Sequence, residues 1–140
     1  MGKRLNERFL AAYITLDKDC AEKFGVATGG LTEYINRLNN ARFAPGREDA
    51  LPRLVRYRNI RNKMAHELGS LRKMNDVTSA DIAWIRKFDR DLLRRKDPIS
   101  AYLKRARRYA RRRKIQRYLT IAAAGALLVA GVILYFALSK

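Results

Sequence analysis

Hydrophobic residues recur at intervals of three and four along residues 5–24, which is the spacing of one face of an amphipathic helix. This pattern predicts a first helix that ends near Gly25. A turn is expected around Thr28-Gly29-Gly30, followed by a shorter second helix over residues 31–40. The predicted apolar faces of these two helices comprise Leu5, Phe9, Ala12, Tyr13, Leu16, Cys20 and Phe24, and then Leu31, Tyr34, Ile35 and Leu38.

A third helix follows a loop that is marked by Asn39, Asn40, Pro45 and Gly46. This helix is expected to begin near Asp49 and to extend through Glu67, with Pro52 tolerated in its first turn. Its apolar stripe on a helical wheel consists of Tyr57, Ile60, Met64 and Leu68.

The fourth helix has the clearest start in the sequence. Thr78 as the N-cap, with Asp81 three residues later, predicts a capping box. Val77 and Ile82 flank this start with the spacing of a hydrophobic staple. The buried face of the helix is predicted to comprise Ile82, Ile85, Phe88 and Leu92, with Trp84 beside them.

The Asp97-Pro98 pair is expected to end the fourth helix, because the residue before a proline disfavours the helical conformation. A fifth helix then runs from about Ser100 through a basic segment and continues into an apolar one. No part of the sequence alternates apolar and polar residues in the manner of a strand. We therefore predict an all-α chain with a head of about four helices at 1–97, a basic juxtamembrane segment at 98–117 and a membrane-spanning segment at 118–138.

The apolar segment Leu119–Leu138 contains no charged residue and no proline. As a helix it would be about 30 Å long, which matches the thickness of a hydrocarbon core. A soluble helix of this length would need a large domain to bury it, and a head of about 100 residues is too small for that. We therefore expect a single membrane span, with Tyr118 and Tyr135 near the two interfaces.

Half of the formal net charge of +18 lies just before this segment. Of the 31 Lys and Arg, nine lie in residues 104–117 and one is Lys140. The remaining 21 lie in residues 1–103, which also contain all 13 Asp and Glu. The positive-inside rule then places the head in the cytosol. With so little chain after the span, we expect a tail-anchored, single-pass protein of a bacterial cell membrane. The nine basic residues are Lys104, Arg105, Arg107, Arg108, Arg111, Arg112, Arg113, Lys114 and Arg117.

These nine residues are predicted to lie at the membrane surface. Each Lys or Arg near an anionic membrane contributes about 1 kcal/mol of attraction, whereas basic runs also bind nucleic acid. Lipid is the favoured ligand, because orienting a span requires no nucleic acid. Within the span, Ala122, Ala126 and Ala130 recur at four-residue spacing, which would let two helices approach as a homodimer.

A single cysteine and a single histidine limit the chemistry of the chain. Cys20 has no partner for an intramolecular disulfide, and its place on an apolar face favours a role in the core. Structural zinc needs four clustered ligands, so we expect no metal, and no cofactor motif is present. The N-terminus has no apolar run of the kind that secretory signal peptides contain.

The only histidine, His66, lies in the third helix within the string RNIRNKMAHE. On the helical wheel His66 falls opposite the apolar stripe, and Asn62 and Arg58 share its face at four-residue spacing. Arg61 lies near the edge of the stripe, where a guanidinium is costly to bury unless a carboxylate or a partner subunit receives it.

These residues are suited to cutting a phosphodiester bond without a metal. An imidazole can take a proton from a ribose 2′-hydroxyl or give one to the leaving oxygen, and a guanidinium can stabilise the charge on the phosphorus. One histidine cannot supply both an acid and a base, so two copies across a dimer would be needed. Arg58 and Lys63 are candidates for binding nucleic acid or a partner.

The string Arg61-Asn62-x-x-x-His66 resembles the signature motif of the HEPN superfamily of helical-bundle domains. The form RNKMAHE, with a small residue before the histidine, is close to how that motif is often written. The resemblance implies a metal-independent endoribonuclease whose composite site forms from two motifs at a dimer interface. By this resemblance Arg61 and His66 would be the catalytic pair and Asn62 the supporting polar residue. Some members of the superfamily bind without cleaving.

Two other interpretations of the same residues stay open. In the first, Asn62 and His66 link helices within the bundle, Arg58 and Arg61 pair with Glu67 or other acids, and the head is a non-enzymatic adaptor for a protein or RNA partner. In the second, the head and the basic segment bind anionic lipid alone. The leading prediction is a membrane-tethered, HEPN-like domain that binds or acts on RNA.

Overall fold

The structure is a computed structural model that describes residues 2–66 and 77–138. Within these residues the chain is all-α and has no strand, which confirms the predicted fold class. It divides into two compact units, Met1–Tyr102 and Leu103–Lys140. Glu67 and Leu68, predicted for the end of the third helix, lie outside the described residues. The helices are α1 (Gly2–Phe24), α2 (Gly30–Asn40), α3 (Arg47–His66), α4 (Ser79–Leu93) and α5 (Pro98–Leu138).

The predicted apolar face of α1 forms the centre of the first unit. Phe9, Leu16 and Cys20 are almost wholly buried, and Leu5 and Phe24 at the two ends are partly buried. Helix α1 packs along both α2 and α4, and α2 in turn packs on α3. The predicted stripe at three- and four-residue spacing is therefore the surface around which the head assembles.

Gly30 was expected in a turn, but it is the buried first residue of α2. A Cβ atom at this position would overlap the backbone of Asp17 and Ala21 in α1, so the close approach of the two helices requires glycine. The Asp17 carboxylate accepts a hydrogen bond of 2.8 Å from the backbone N–H of Leu31. Asp17 thereby caps the start of α2 from a neighbouring helix.

Helix α4 begins as predicted. Thr78 and Asp81 form both hydrogen bonds of the capping box. The Asp81 carboxylate also accepts hydrogen bonds from the Tyr57 hydroxyl at 3.0 Å and from Arg56 at 2.9 Å, which links the start of α4 to α3. Burial raises the pKa of Asp81, but the hydrogen bonds from Thr78, Tyr57 and Arg56 outweigh burial and hold the pKa below its usual value.

Asp97 was predicted only as a helix breaker, and it is instead the buried N-cap of α5. Asp97 is 1% exposed, and its carboxylate accepts hydrogen bonds from Lys23 Nζ at 2.7 Å and from the Tyr34 hydroxyl at 2.8 Å. The backbone N–H of Ser100 donates a third at 3.3 Å. The N–H group of the first helical position has no partner within the helix, so a proline, which lacks that group, is tolerated there. Helix α5 therefore begins at Pro98 rather than at Ser100.

These contacts also set the charge of Asp97. Burial raises the pKa of its carboxyl group, but the hydrogen bonds from Lys23, Ser100 and Tyr34 outweigh burial and lower the pKa below its usual value. The ionised carboxylate thus connects α1, α2 and the start of α5 inside the head.

Helix α3 begins at Arg47, two residues before the expected start. Gly46 has a φ of 73°, a left-handed conformation that turns the chain directly into the helix. The Arg47 guanidinium donates a hydrogen bond of 3.2 Å to the Leu38 carbonyl near the end of α2. The loop between the two helices is therefore shorter than predicted.

The second unit is the continuation of α5, and it is one uninterrupted helix to Leu138, as expected. Residues 104–117 are all exposed. The described part of the chain contains one helix that is long and apolar enough to cross a membrane, and its apolar window is 0% buried. Leu127 and Leu128, for example, are 75% and 73% exposed. An exposed apolar surface of this extent is typical of membrane or protein contact.

Candidate functional site

The five predicted site residues of α3 lie on its accessible surface. Asn62, Lys63 and His66 are exposed, and Arg58 is half-buried. Arg61 was expected at the costly edge of the apolar stripe, but it is exposed and donates a hydrogen bond of 3.3 Å to the Asn62 side chain. Its guanidinium stays solvated because the side of α3 that carries Arg61 faces an open cavity, whereas Ile60 and Met64 of the same turn are buried in the core.

Arg58, Arg61 and Asn62 line one cavity of about 430 Å³. Its opposite wall is formed by α1 and by the turn between α1 and α2, which contribute Lys18 and Thr28. The structure thus brings three of the predicted residues together. His66 does not line this cavity; it follows Asn62 by one helical turn, or about 6 Å along the axis.

The cavity carries more positive than negative charge. Three cations, Lys18, Arg58 and Arg61, line it together with one acid, Asp17, whose carboxylate already accepts the hydrogen bond from Leu31. Among the described residues, neither arginine forms a salt bridge with a carboxylate. The alternative prediction that Arg58 and Arg61 pair with Glu67 involves a residue that lies outside the described ones.

The influence of the two arginines is visible at the Tyr13 hydroxyl on the cavity wall. Burial and the nearby Asp17 carboxylate raise the pKa of Tyr13 to about 12, and Arg61 and Arg58 act in the opposite direction. Both guanidinium groups are therefore close enough to stabilise negative charge at this wall.

Lys63 lies on another side of α3. It lines a separate cavity with Arg56 and Asn59, so it does not converge with Arg58 on one ligand position. Lys18 and Thr28, which do converge with Arg58, were not predicted. Lys18 comes from α1 and Thr28 from the turn between α1 and α2, and only the packing of these elements brings them to the cavity.

The lone cysteine has the structural role that its position predicted. Cys20 is 0% exposed in the core, and burial raises the pKa of its thiol, which keeps it protonated and unreactive. Within residues 2–66 and 77–138, no group of three or more His, Cys, Asp or Glu side chains is placed to hold a metal ion.

These features define an all-α protein with a helical-bundle head and a C-terminal helix that is long and apolar enough to cross a membrane. The chain belongs to a family of unknown function (DUF6548), whose model matches residues 7–124. The match includes the head, the basic segment and the start of the apolar segment. No curated protein and no solved structure matches the chain.

Proposed function

We propose that this chain is a membrane-tethered, HEPN-like helical domain that acts on RNA. The observation that carries the proposal is the cavity beside α3, where Arg58, Arg61 and Asn62 lie together. Guanidinium groups without a carboxylate partner are strong ligands for phosphate, because their planar donors match its oxygens. An RNA phosphate is the ligand that suits this cavity best.

In the proposed reaction, Arg58 and Arg61 hold the phosphate and Asn62 donates a further hydrogen bond. The ribose 2′-oxygen attacks the phosphorus, and the bond from phosphorus to the 5′-oxygen breaks, leaving a 2′,3′-cyclic phosphate and a 5′-hydroxyl. His66 accepts the 2′ proton, and His66 of a second copy donates a proton to the leaving oxygen. Arg61 stabilises the negative charge that develops on the phosphate.

The proposed reaction takes place at a membrane. The exposed apolar part of α5 is the span, and residues 104–117 contact anionic headgroups on the cytosolic side. Lys63, on its separate side of α3, binds a more distant part of the RNA or a protein partner. In this arrangement the anchor holds the head at the cytosolic surface of the membrane, and the head acts on RNA there.

The test uses the full chain in detergent micelles with single-stranded RNA and a chelator. The native chain should cut the RNA, and His66→Ala should abolish cutting. Arg61→Ala should slow cutting about 100-fold or more, as expected for the loss of a group that stabilises transition-state charge. Arg86→Ala, which removes an exposed arginine of α4, is the matched control and should cut at the native rate. Undiminished cutting by His66→Ala would refute the enzymatic proposal.

A second candidate function is a non-enzymatic membrane adaptor, which the position of His66 outside the cavity favours. A pull-down of the full chain from membranes should then recover a stoichiometric protein partner, and His66→Ala should not change the yield. Absence of a partner, together with cutting by the native chain, would exclude the adaptor.

A further inference from the structure

The cavity beside α3 contains a carboxylate that shares it with three cations but pairs with none of them. Asp17 lines the cavity from α1, and Lys18, Arg58 and Arg61 line it as well. Within residues 2–66 and 77–138, Asp17 forms no salt bridge with any of the three. The cavity therefore offers a ligand separate positive and negative positions.

One oxygen of Asp17 is available to a ligand. Oδ1 accepts the hydrogen bond of 2.8 Å from the Leu31 N–H at the start of α2. Among the described residues, no group donates a hydrogen bond to Oδ2. Oδ2 is also not enclosed by protein, because the one fully buried side-chain oxygen or nitrogen without a partner in this part of the chain belongs to Asp89. Asp17 thus presents an accessible acceptor that the bond to α2 holds in place.

The Asp17 carboxylate also determines where a phosphate can lie in the cavity. A helix N-terminus attracts phosphate, but Asp17 already occupies the Leu31 N–H at the start of α2, and its charge repels a second anion. A phosphate therefore lies with Arg58 and Arg61. Burial and then Asp17 raise the pKa of the Tyr13 hydroxyl to about 12. Arg61 and Arg58 act on the same pKa in the opposite direction, so the acceptor and the two cations are within reach of one small ligand.

We infer that Asp17 selects a guanine base in the RNA that the cavity binds. A carboxylate accepts hydrogen bonds and donates none, so it favours a base edge that carries only donors. Guanine has two adjacent donors, N1–H and the N2 amino group, on its Watson–Crick edge, where single-stranded RNA is read. Uracil places its N3–H between two carbonyl oxygens, and adenine and cytosine place a ring acceptor beside the amino group. The inference rests on the proposed function, because it names the base that accompanies the phosphate in the same cavity.

The cavity wall near Asp17 suits the face of a base. Ile14 is 57% exposed and lines the cavity together with Ala21 and Ala27. Enzymes that hold an unstacked base place its face against apolar or aromatic side chains and read its edge with hydrogen bonds. The Thr28 hydroxyl, on the same cavity, is a donor for the O6 oxygen of guanine. A guanine therefore finds both an apolar wall and polar partners.

The test measures the affinity of the full chain for short RNAs by fluorescence anisotropy, in detergent micelles with a chelator. The RNAs are oligouridines whose central nucleotide is guanosine, inosine or uridine, and 2′-O-methyl groups keep them from being cut. Guanosine should bind at least about 10-fold more tightly than uridine, as expected for one good two-bond contact to a base. Inosine lacks the N2 amino group and should bind about fivefold more weakly than guanosine. Equal affinity for guanosine and inosine would overturn the inference without the use of any variant.

Asp17→Asn distinguishes base selection from a structural role of Asp17. The amide oxygen keeps the bond from the Leu31 N–H, which places the NH₂ group, a donor, where Oδ2 was. Loss of the negative charge raises the affinity for every RNA, so the readout is the ratio of the affinities for guanosine and uridine. This ratio should fall at least about 10-fold, so that uridine binds as tightly as guanosine or more tightly. Asp49→Asn removes a carboxylate from an exposed position of α3 outside the cavity and should keep the native ratio.

Three results would overturn the inference, and only one of them also refutes the proposed function. If the native chain binds the guanosine and uridine RNAs equally, Asp17 does not select guanine, and the proposed function stands. If the preference for guanosine persists in Asp17→Asn, another group reads the base. If the native chain binds none of the RNAs, the inference and the proposed action on RNA both fail.

Discussion

Replacing Asp97 with alanine is expected to lower the free energy of unfolding of the head by about 3 kcal/mol. The variant leaves the Tyr34 hydroxyl buried without the acceptor at 2.8 Å, and an unsatisfied buried group costs about 1–3 kcal/mol. The Lys23 ammonium loses its acceptor at 2.7 Å but keeps a bond to the Ser100 hydroxyl, and its side chain is 20% exposed. The free-energy cost of removing this acceptor from Lys23 is therefore smaller than the cost for a fully buried ion.

Urea unfolding of the full chain in detergent micelles, followed by tryptophan fluorescence, measures this change. Trp84 is the only tryptophan, and it packs on Phe88 with 5.0 Å between ring centroids, so its emission reports on the head alone. Asp49→Ala is the matched control, because it breaks an exposed salt bridge with Arg53 that is worth less than about 1 kcal/mol. The same unfolding midpoint for both variants would refute the structural role of Asp97.

The pH dependence provides an independent check on Asp97. Its pKa is lower in the folded state than in the unfolded chain, so the unfolded chain binds more protons and the stabilisation is lost as the pH falls through the folded-state pKa. The difference in unfolding free energy between the native chain and Asp97→Asn should be constant from about pH 7 to pH 5 and should shrink below about pH 4. A constant difference down to about pH 2 would contradict this sign.

Three further changes test the packing, by the same urea assay. Gly30→Ala should lower the free energy of unfolding by more than about 3 kcal/mol, because the added Cβ would overlap the α1 backbone. Gly25→Ala is the control and should cost about 1 kcal/mol, because Gly25 has a φ of 67° but lies in open space. Equal losses in the two variants would contradict the overlap. Arg95→Gly should raise the free energy of unfolding by about 1 kcal/mol by relieving the left-handed strain, and a lower midpoint would count against that strain. Burial and a hydrogen bond with Asp19 raise the pKa of Asp89 to about 6, so the folded state binds more protons than the unfolded chain between about pH 4 and pH 6, and native stability falls as the pH rises through that window. Asp89→Asn should therefore be more stable than the native chain near pH 7 and no more stable near pH 4; an advantage that persists near pH 4 would show that charge is not the cause.

Features that depend on neighbouring residues in sequence were predictable. The capping box of Thr78 and Asp81 uses residues three apart, and the apolar face of α1 follows from helical periodicity, so the structure agrees with both. The roles of Asp97 and Gly30 were not predictable, because their contacts reach residues of other helices. Lys23 is 74 positions from Asp97 in the sequence, and no local pattern marks that pair.

The candidate site also has features that the sequence could predict and features that it could not. Arg58 and Asn62 are four residues apart on one helix, so their shared position on α3 followed from the sequence. Lys18 lies on the opposite wall of the cavity, and only the packing of α1 on α3 places it there. The wheel put Arg61 at the edge of the apolar stripe, but it could not reveal that the edge opens to a cavity at this turn.

The salt dependence of RNA binding tests most directly the central claim that the cavity beside α3 holds RNA phosphates. Affinity of the full chain for single-stranded RNA is measured by fluorescence anisotropy over a series of salt concentrations. Arg58→Gln/Arg61→Gln should reduce the slope of log affinity against log salt by about 1.4, since each phosphate contact to a single strand contributes about 0.7. Arg86→Gln/Lys87→Gln removes the same charge elsewhere and should retain the native slope. A native slope in the cavity variant, or an equal reduction in the control, would contradict the account.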